Sequence, residues 1–221
     1  MAVLYIVNLR EVSIDSILDD LPEFFKKNFQ NNTFVKKLEH LTSQWIRKIG
    51  LGKFLNCDPN SLIFSVMPSG KPFLLSHTKI DFSISHTEKY IVLAVVSNCK
   101  IAVDIQLMKK INFLKLAKRF FNSFEYKWIV KLRKSEIKHW FYQLWTHKEA
   151  TFKILTNRSL NLKLHDFYVQ KNRLTSSNEY ISQNIFYKTL EFDHKFFLCL
   201  AATNKSCLNR VKLVKLRTTS V

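Results

Sequence analysis

The chain has 221 residues, a formal net charge of +18 at pH 7 and 47% hydrophobic residues. That apolar content is enough to build a core, so it excludes a wholly disordered protein. Neither the dinucleotide-binding pattern GxGxxG nor the P-loop pattern can be written with the three glycines present, Gly50, Gly52 and Gly70. Any phosphate must therefore be held by side chains.

The excess of basic residues predicts attraction to polyanions, namely nucleic acid, anionic lipid, a polyphosphate ligand or an acidic protein. Composition alone leaves these four open. No pattern of a signal peptide and no apolar run long enough to span a bilayer is found. The cysteines have neither a CxxC pair nor zinc-site spacing, which predicts reduced, mostly buried thiols in a cytoplasmic protein; they are Cys57, Cys99, Cys199 and Cys207.

The first half of the chain predicts strands around one long helix. Residues 33–49 carry apolar side chains at helical spacing, with Thr33 as a candidate N-cap. Residues 13–29, around Pro22, predict short helices. Runs of apolar or alternating residues predict strands in AVLYIVNL, SLIFSV, DFSISHT, YIVLAVVS and KIAVDIQ.

The second half predicts helices first and strands afterwards. Asn122 and Glu125 have the spacing of a capping box, and the longest predicted helix runs from about Ser135 to Leu155. Three strands follow, DFYVQ, NIFYKTLEFD and KFFLCLAAT. Because KFFLCLAA is similar to KYIVLAVV of the first half, we predict two related α/β halves, residues 1–106 and 107–221.

Two predicted strands carry polar residues that a plain core would not need. Ser85 and His86 end one strand, and Asp104 lies in another. His86 is suited to a phosphate oxygen, but a histidine beside a serine can equally be a structural residue. A buried acid is costly unless it is paired or bound to a metal. Asp104 could equally cap the next helix.

The long helix carries Trp145, Glu149 and Lys153 on one face, because helical neighbours lie three and four residues apart. A lone Glu–Lys pair would be a solvated salt bridge. Together with Asp104, however, Glu149 supplies hard oxygen ligands of the kind that bind Mg²⁺. Lys153, and Lys148 beside it, are suited to phosphate oxygens. This combination predicts group transfer on a polyphosphate.

Taken in order, the motifs resemble those of the Sfp-type 4′-phosphopantetheinyl transferases. The resemblance runs from about Lys36 to Thr203. The long final motif is its specific part, since any of the shorter motifs alone would be weak. The matching segments are GKP (70–72), FSISH (82–86), VDI (103–105), AKRFF (117–121), EY (125–126) and WTHKEATFK (145–153).

The resemblance implies a pseudo-twofold monomer of two similar α/β halves with coenzyme A in the cleft between them. Such enzymes use Mg²⁺, with Mn²⁺ as a further candidate metal. They transfer the 4′-phosphopantetheine arm to a serine of an acyl or peptidyl carrier protein and release 3′,5′-adenosine bisphosphate. Because carrier proteins are acidic, a basic surface would speed the encounter. Neither a membrane span nor a specific nucleic acid is implied.

The resemblance also implies residue roles. Asp104 and Glu149 are expected to bind the metal, and Glu149 is expected to act as base, or to orient a water, for the carrier serine. Lys153 is expected to hold the pyrophosphate and stabilise the leaving phosphate. The other expected cofactor contacts are Lys71, Ser85, His86 and Lys148, with Lys36 and Lys37 as candidates for the 3′-phosphate.

The chain departs from the family pattern at Gln106, where many members have a glutamate as a third metal ligand. An amide oxygen is a weaker ligand, so we expect two carboxylates on the metal with Gln106 as the third candidate donor. One alternative is a degenerate transferase fold that binds coenzyme A or carrier protein without turnover. Another is a basic nucleic-acid-binding protein, suggested by the charge and the 14% aromatic content.

Overall fold

The computed structural model of the chain describes residues 1–21, 34–155, 163–170, 173–175 and 184–218. The helices are α1 (Ile14–Asp20), α2 (Phe34–Leu55), α3 (Phe113–Phe120), α4 (Ser123–Ile129), α5 (Lys134–Leu155) and α6 (Ser206–Asn209). The strands are β1 (Ala2–Asn8), β2 (Phe64–Val66), β3 (Pro72–Leu74), β4 (Ile80–His86), β5 (Tyr90–Ser97), β6 (Ile101–Leu107), β7 (Tyr168–Gln170), β8 (Arg173–Thr175), β9 (Phe186–Phe192), β10 (Phe196–Ala202) and β11 (Val211–Lys215).

The strands form two main sheets and a small hairpin. The first sheet has the order β11-β1-β5-β4, in which β11 runs parallel to β1 and the other pairs are antiparallel. The second sheet has the order β6-β10-β9-β8-β7 and is antiparallel. Among the described residues, β2 and β3 pair only with each other. The predicted mixed α/β class is confirmed.

Alternate residues of β1 pack on opposite faces of the first sheet, one toward α2 and the other toward the second sheet. Val3 and Tyr5 pack in the cluster that α2 covers, whereas Leu4 and Ile6 pack in a cluster shared with the second sheet. Successive strand residues point to opposite faces, so one apolar strand serves both layers. The helix approaches the sheet closely at Gly50, where a Cβ atom would lie 2.6 Å from a methyl group of Leu93.

The second sheet is covered by α5, which has 22 residues like α2. Phe141, Ala150 and Ile154 of α5 are buried against this sheet and against α3 and α4. With the predicted division at residue 106, each sheet takes one strand from the other half. β6, which ends at Leu107, lies in the second sheet, and β11 from the end of the chain lies in the first.

Several element predictions agree with the structure, and others differ in extent. The predicted helix over 33–49 continues to Leu55, whereas Thr33 and the segment after Pro22 lie outside the described residues. SLIFSV forms a strand only over Phe64–Val66. β11 was not predicted, although VKLVK contains three apolar residues in five, because its pairing with β1 is a contact between the two ends of the chain.

The prediction of four reduced thiols is wrong for two of them. Cys99, in the turn between β5 and β6, is bonded to Cys207 of α6, while Cys57 and Cys199 are free. The two bonded residues are 108 positions apart, so no local spacing could indicate the pair. Separately, within the described ranges no helix is both long enough and apolar enough to cross a membrane.

Candidate active site

The two sheets meet where their edge strands β4 and β6 run side by side. Backbone hydrogen bonds do not join these strands into one sheet. Instead, every second side chain of β4 accepts a hydrogen bond from a backbone N–H of β6. The acceptors Asp81, Ser83 and Ser85 receive these bonds from Ile101, Val103 and Ile105, at 2.8, 3.2 and 3.3 Å. This seam fixes β6, and with it Asp104.

Asp104 is almost fully buried at the seam, with 3% of its surface exposed. One carboxylate oxygen, Oδ1, accepts from Ser85 Oγ at 3.1 Å and from Lys153 Nζ at 2.9 Å. The other oxygen, Oδ2, accepts from Gln106 Nε2 at 3.0 Å. Burial of this carboxylate is tolerated because each oxygen is hydrogen-bonded and one faces a cation.

Lys153 reaches the seam from the last turn of α5. Its Nζ donates to Asp104 and, at 2.8 Å, to the carbonyl oxygen of Val103. An ammonium group has three donors, and the described residues accept hydrogen bonds from two of them, which leaves the third for a ligand. The side chain is 30% exposed, which leaves the charge accessible from the cleft between the sheets.

Glu149 lies one helical turn before Lys153 and is half-buried. Burial raises the pKa of Glu149 above its ordinary value, the Asp104 carboxylate raises it further, and Lys153 opposes them. No described residue donates a hydrogen bond to the Glu149 carboxylate. Asp104 and Glu149 therefore share Lys153 as their counter-charge. A further cation, or a proton on Glu149, would reduce the repulsion between the two carboxylates.

These carboxylates provide a donor set that fits Mg²⁺, which takes one or two protein carboxylates and completes its shell with water and substrate oxygens. Across the described ranges no group of three or more His, Cys, Asp or Glu side chains could hold a metal. Gln106 is close enough to hydrogen-bond Asp104. The available donors are thus Asp104, Glu149 and the amide oxygen of Gln106.

Two of the pockets along the cleft are lined by Trp145 and by Lys153, which lie one helical turn before and after Glu149. One, of about 320 Å³, is lined by His86, Gln106 and Trp145 among others. Another, of about 270 Å³, is lined by Lys71 and Lys153, together with Ser83 of the seam. Because Trp145 and Lys153 are each one turn from Glu149, the predicted face of α5 connects the two spaces.

The first pocket brings together residues predicted for different roles. His86 is exposed at the end of β4, so its imidazole is available to a ligand. Trp145 packs with Phe120, Phe121 and Phe141 in the core under α5. It therefore packs in the core of the C-terminal half.

Lys71 and Ser85 are less free than the sequence suggests. Lys71 Nζ forms an ion pair with Asp81 at 2.8 Å, and the same Asp81 accepts from the backbone of β6. Ser85 is buried and bonded to Asp104. Lys71 still lines the second pocket, whereas Ser85 acts through Asp104 in this arrangement.

Lys148 points away from the cleft, although it precedes Glu149 directly. Its ammonium group is fully buried, pairs with Glu125 at 2.7 Å and donates to the carbonyl oxygen of Phe167 at 2.6 Å. Burial lowers the pKa of Lys148, and Glu125 opposes that shift. Because the charge is enclosed, this placement contradicts the predicted phosphate contact and gives Lys148 a structural role.

The two candidates for the 3′-phosphate lie in the first turn of α2. Lys36 is exposed and Lys37 is half-buried. Neither lines these two pockets of the cleft, so their assignment stays a prediction.

Sequence reasoning missed Asp81 and Ser83. Their signal was present in the alternating segment DFSISH, which predicted a strand but gave no partner for the polar side chains of Asp81 and Ser83. An alternating strand at the edge of a sheet can direct its polar face to the backbone of another sheet, as β4 does here.

Comparison with known proteins finds a family match over the part of the chain that contains Asp104, Glu149 and Lys153. Residues 100–203, which include β6 and α5, match the family model of the 4′-phosphopantetheinyl transferase superfamily. The chain is 33% identical over 129 residues to the 4′-phosphopantetheinyl transferase gsp of Aneurinibacillus migulanus, covering 58% of this chain and 52% of that protein. It is 34% identical to Sfp of Bacillus subtilis strain 168, covering 51% and 49%.

The 4′-phosphopantetheinyl transferase ffp of Bacillus subtilis is 34% identical over 143 residues, and the match covers 62% of each chain. The chain spans about half the length of the curated relatives it matches. Over residues 100–203 it is similar to the 4′-phosphopantetheinyl transferase superfamily.

Proposed function

We propose that the chain transfers the 4′-phosphopantetheine arm from coenzyme A to a serine hydroxyl of an acyl or peptidyl carrier protein. The observation that carries this proposal is the half-buried Glu149 carboxylate, next to the Asp104–Lys153 ion pair in the cleft between two sheets. The match of residues 100–203 to the family model and the names of the relatives support the same reaction.

The reaction needs a base at the serine and positive charge at the leaving group. Glu149 takes the serine proton, directly or through a water, because its pKa is raised and no described residue donates a hydrogen bond to its oxygens. The serine oxygen then bonds to the phosphorus that bears pantetheine, while the bond from that phosphorus to the adenosine bisphosphate oxygen breaks.

Lys153 stabilises the departing 3′,5′-adenosine bisphosphate. Its position is fixed by Asp104 and the Val103 carbonyl oxygen, so its remaining donor is held ready for the pyrophosphate without reorganisation. Asp104 is held in turn by Ser85 and Gln106. The charge of the lysine is thereby aimed at the point where negative charge develops.

Mg²⁺ fits the donor set of Asp104, Glu149 and Gln106, and when bound it neutralises charge on the pyrophosphate. Lys71 and His86, which line the two pockets of the cleft, would contact the coenzyme A phosphates. Lys36 and Lys37 remain candidates for the 3′-phosphate. An acidic carrier would be attracted by the net charge of +18.

The reaction can be followed by the release of 3′,5′-adenosine bisphosphate from coenzyme A in the presence of an apo carrier protein. We expect release that needs the carrier, stops with a chelator and resumes with Mg²⁺. Gln106→Glu should lower the Mg²⁺ concentration for half-maximal rate, because a carboxylate replaces a neutral donor. Gln44→Glu, on α2, controls for the added charge. Retained coenzyme A binding without any release would favour the degenerate-fold alternative.

A further inference from the structure

α4 and the turn after it carry an exposed apolar surface that the proposed reaction does not use. Phe124, Trp128 and Val130 are 67%, 41% and 44% exposed. Glu125 and Ile129 of the same helix are buried, so another side of α4 already packs against the core. Phe124 and Trp128 lie one turn apart and therefore share the outer side of the helix.

The exposed rings are held in place by aromatic neighbours. Trp140 of α5 meets Trp128 edge-to-face, with ring centroids 5.2 Å apart. Tyr168 of β7 lies 5.6 Å from Phe124. Such contacts restrict the rotamers of both rings, so a surface that they contact would lose little side-chain entropy on binding.

The rings are surrounded by unpaired positive charge. Lys127, Lys131 and Lys134 are exposed, and no described residue forms an ion pair with any of them. Arg133 differs, because Glu136 pairs with it at 2.9 Å. Exposed aromatic rings among lysines that have no described ion-pair partner match a surface that is both apolar and anionic.

We propose that this aromatic–lysine face, formed by Phe124, Lys127, Trp128, Val130 and Lys131, binds the surface of an anionic membrane. Aromatic and lysine side chains share the headgroup region of bilayers, where rings enter the acyl boundary and ammonium groups meet anionic lipid. Each lysine near such a surface adds independently to the attraction.

A protein partner fits these residues less well. Lysine is depleted in protein–protein interfaces, where arginine is enriched, and the unpaired cations on this face are lysines. A standard interface also covers about 800 Å² on each partner, whereas the strongly exposed apolar residues here are three side chains on two helical turns. A membrane needs only such a small protruding group.

The test is co-sedimentation of the full chain with lipid vesicles. We expect binding to vesicles that mix phosphatidylglycerol with phosphatidylcholine, and much weaker binding to phosphatidylcholine alone. Lys127→Gln and Lys131→Gln should each lower the partition coefficient by about fivefold, and the pair together should lower it by about 25-fold. Phe124→Ser should lower it by about tenfold. Circular dichroism melting would establish that these surface variants remain folded.

Matched control variants lie on β11. Lys212→Gln with Lys215→Gln removes the same charge from exposed positions at the edge of the first sheet, and should leave much more of the binding intact than the variants of the face. Equal loss in both pairs, equal binding to neutral and anionic vesicles, or no binding to either would overturn the proposal. A further result would also overturn it. If the chain does not bind vesicles, and the same substitutions lower its affinity for an acidic carrier protein, the face is a protein-docking surface.

Discussion

Lys148 and Lys153 lie five residues apart on α5, yet their surroundings differ completely. Lys153 is 30% exposed in the cleft, whereas Lys148 is enclosed with Glu125 and two aromatic rings. Sequence alone predicts both as phosphate ligands, because it does not show which side of the helix faces the core and therefore which lysine is buried. In the structure, the charge of Lys153 is available to a substrate, whereas the charge of Lys148 is part of an ion pair inside the C-terminal half.

Lys148→Met should lower the free energy of unfolding by about 3–5 kcal/mol, because it leaves the buried Glu125 carboxylate without a counter-charge. Pairing it with Glu125→Gln should restore part of the loss. Urea unfolding of both variants measures the effect. A Lys148→Met protein as stable as the wild type, with weakened coenzyme A binding, would instead support the predicted phosphate contact.

The burial of His147 predicts how the free energy of unfolding depends on pH. Its ring is 2% exposed and stacks on Tyr187, and burial lowers its pKa from 6.5 to about 4. The unfolded chain therefore binds this proton at a higher pH than the folded chain. The difference in proton binding contributes about 3 kcal/mol to the free energy of unfolding. This contribution is fully present above about pH 6.5 and is lost as the pH falls toward about 4.

Urea unfolding at about pH 7 and about pH 5, for the wild type and for His147→Gln, isolates this contribution. We expect the wild type to lose more stability than the variant over that interval. Equal losses would mean that His147 is solvated or charged in the folded protein.

The β4–β6 seam is the element on which the site depends. Ser83 Oγ is the acceptor for the Val103 N–H, and Val103 in turn provides the carbonyl oxygen that holds Lys153. Side chains here take the place that a neighbouring strand would occupy in a continuous sheet. Asp104 and Lys153 are thus fixed by residues that need not touch the substrate.

Ser83→Ala should lower the free energy of unfolding by about 1–3 kcal/mol, since it leaves a buried N–H without an acceptor. Hydrogen exchange at the Val103 amide should accelerate. Ser65→Ala, in the β2–β3 hairpin, removes a hydroxyl from a strand outside the seam and should change stability by about 0.5 kcal/mol or less. Unchanged exchange at Val103 would contradict the role of the seam.

Element predictions succeeded where the signal was local. The capping box of Asn122 and Glu125 forms as predicted, and α5 begins at Lys134, one residue before the predicted start. Those features depend on residues three or four positions apart. Glu125 also binds Lys148 and the Val169 N–H, and no local pattern could indicate those partners.

At the scale of the whole molecule, the sequence predicted the class of fold and the residues that meet in the cleft. Asp104, Glu149 and Lys153 do come together. The exchange of β6 and β11 between the halves, the seam and the Cys99–Cys207 pair were not predicted. Each is a contact between segments distant in the chain, and hydrophobic periodicity carries no information about which strands become neighbours.

The central claim is that the cleft transfers phosphopantetheine with Glu149 as the base. The most direct measurement is the intact mass of an apo carrier protein after incubation with coenzyme A, Mg²⁺ and either wild type, Glu149→Gln or Glu136→Gln. Glu136 is on the same helix but pairs with Arg133 outside the cleft. The account predicts gain of one arm with wild type and Glu136→Gln, and none with Glu149→Gln. Equal gain with all three proteins would contradict it.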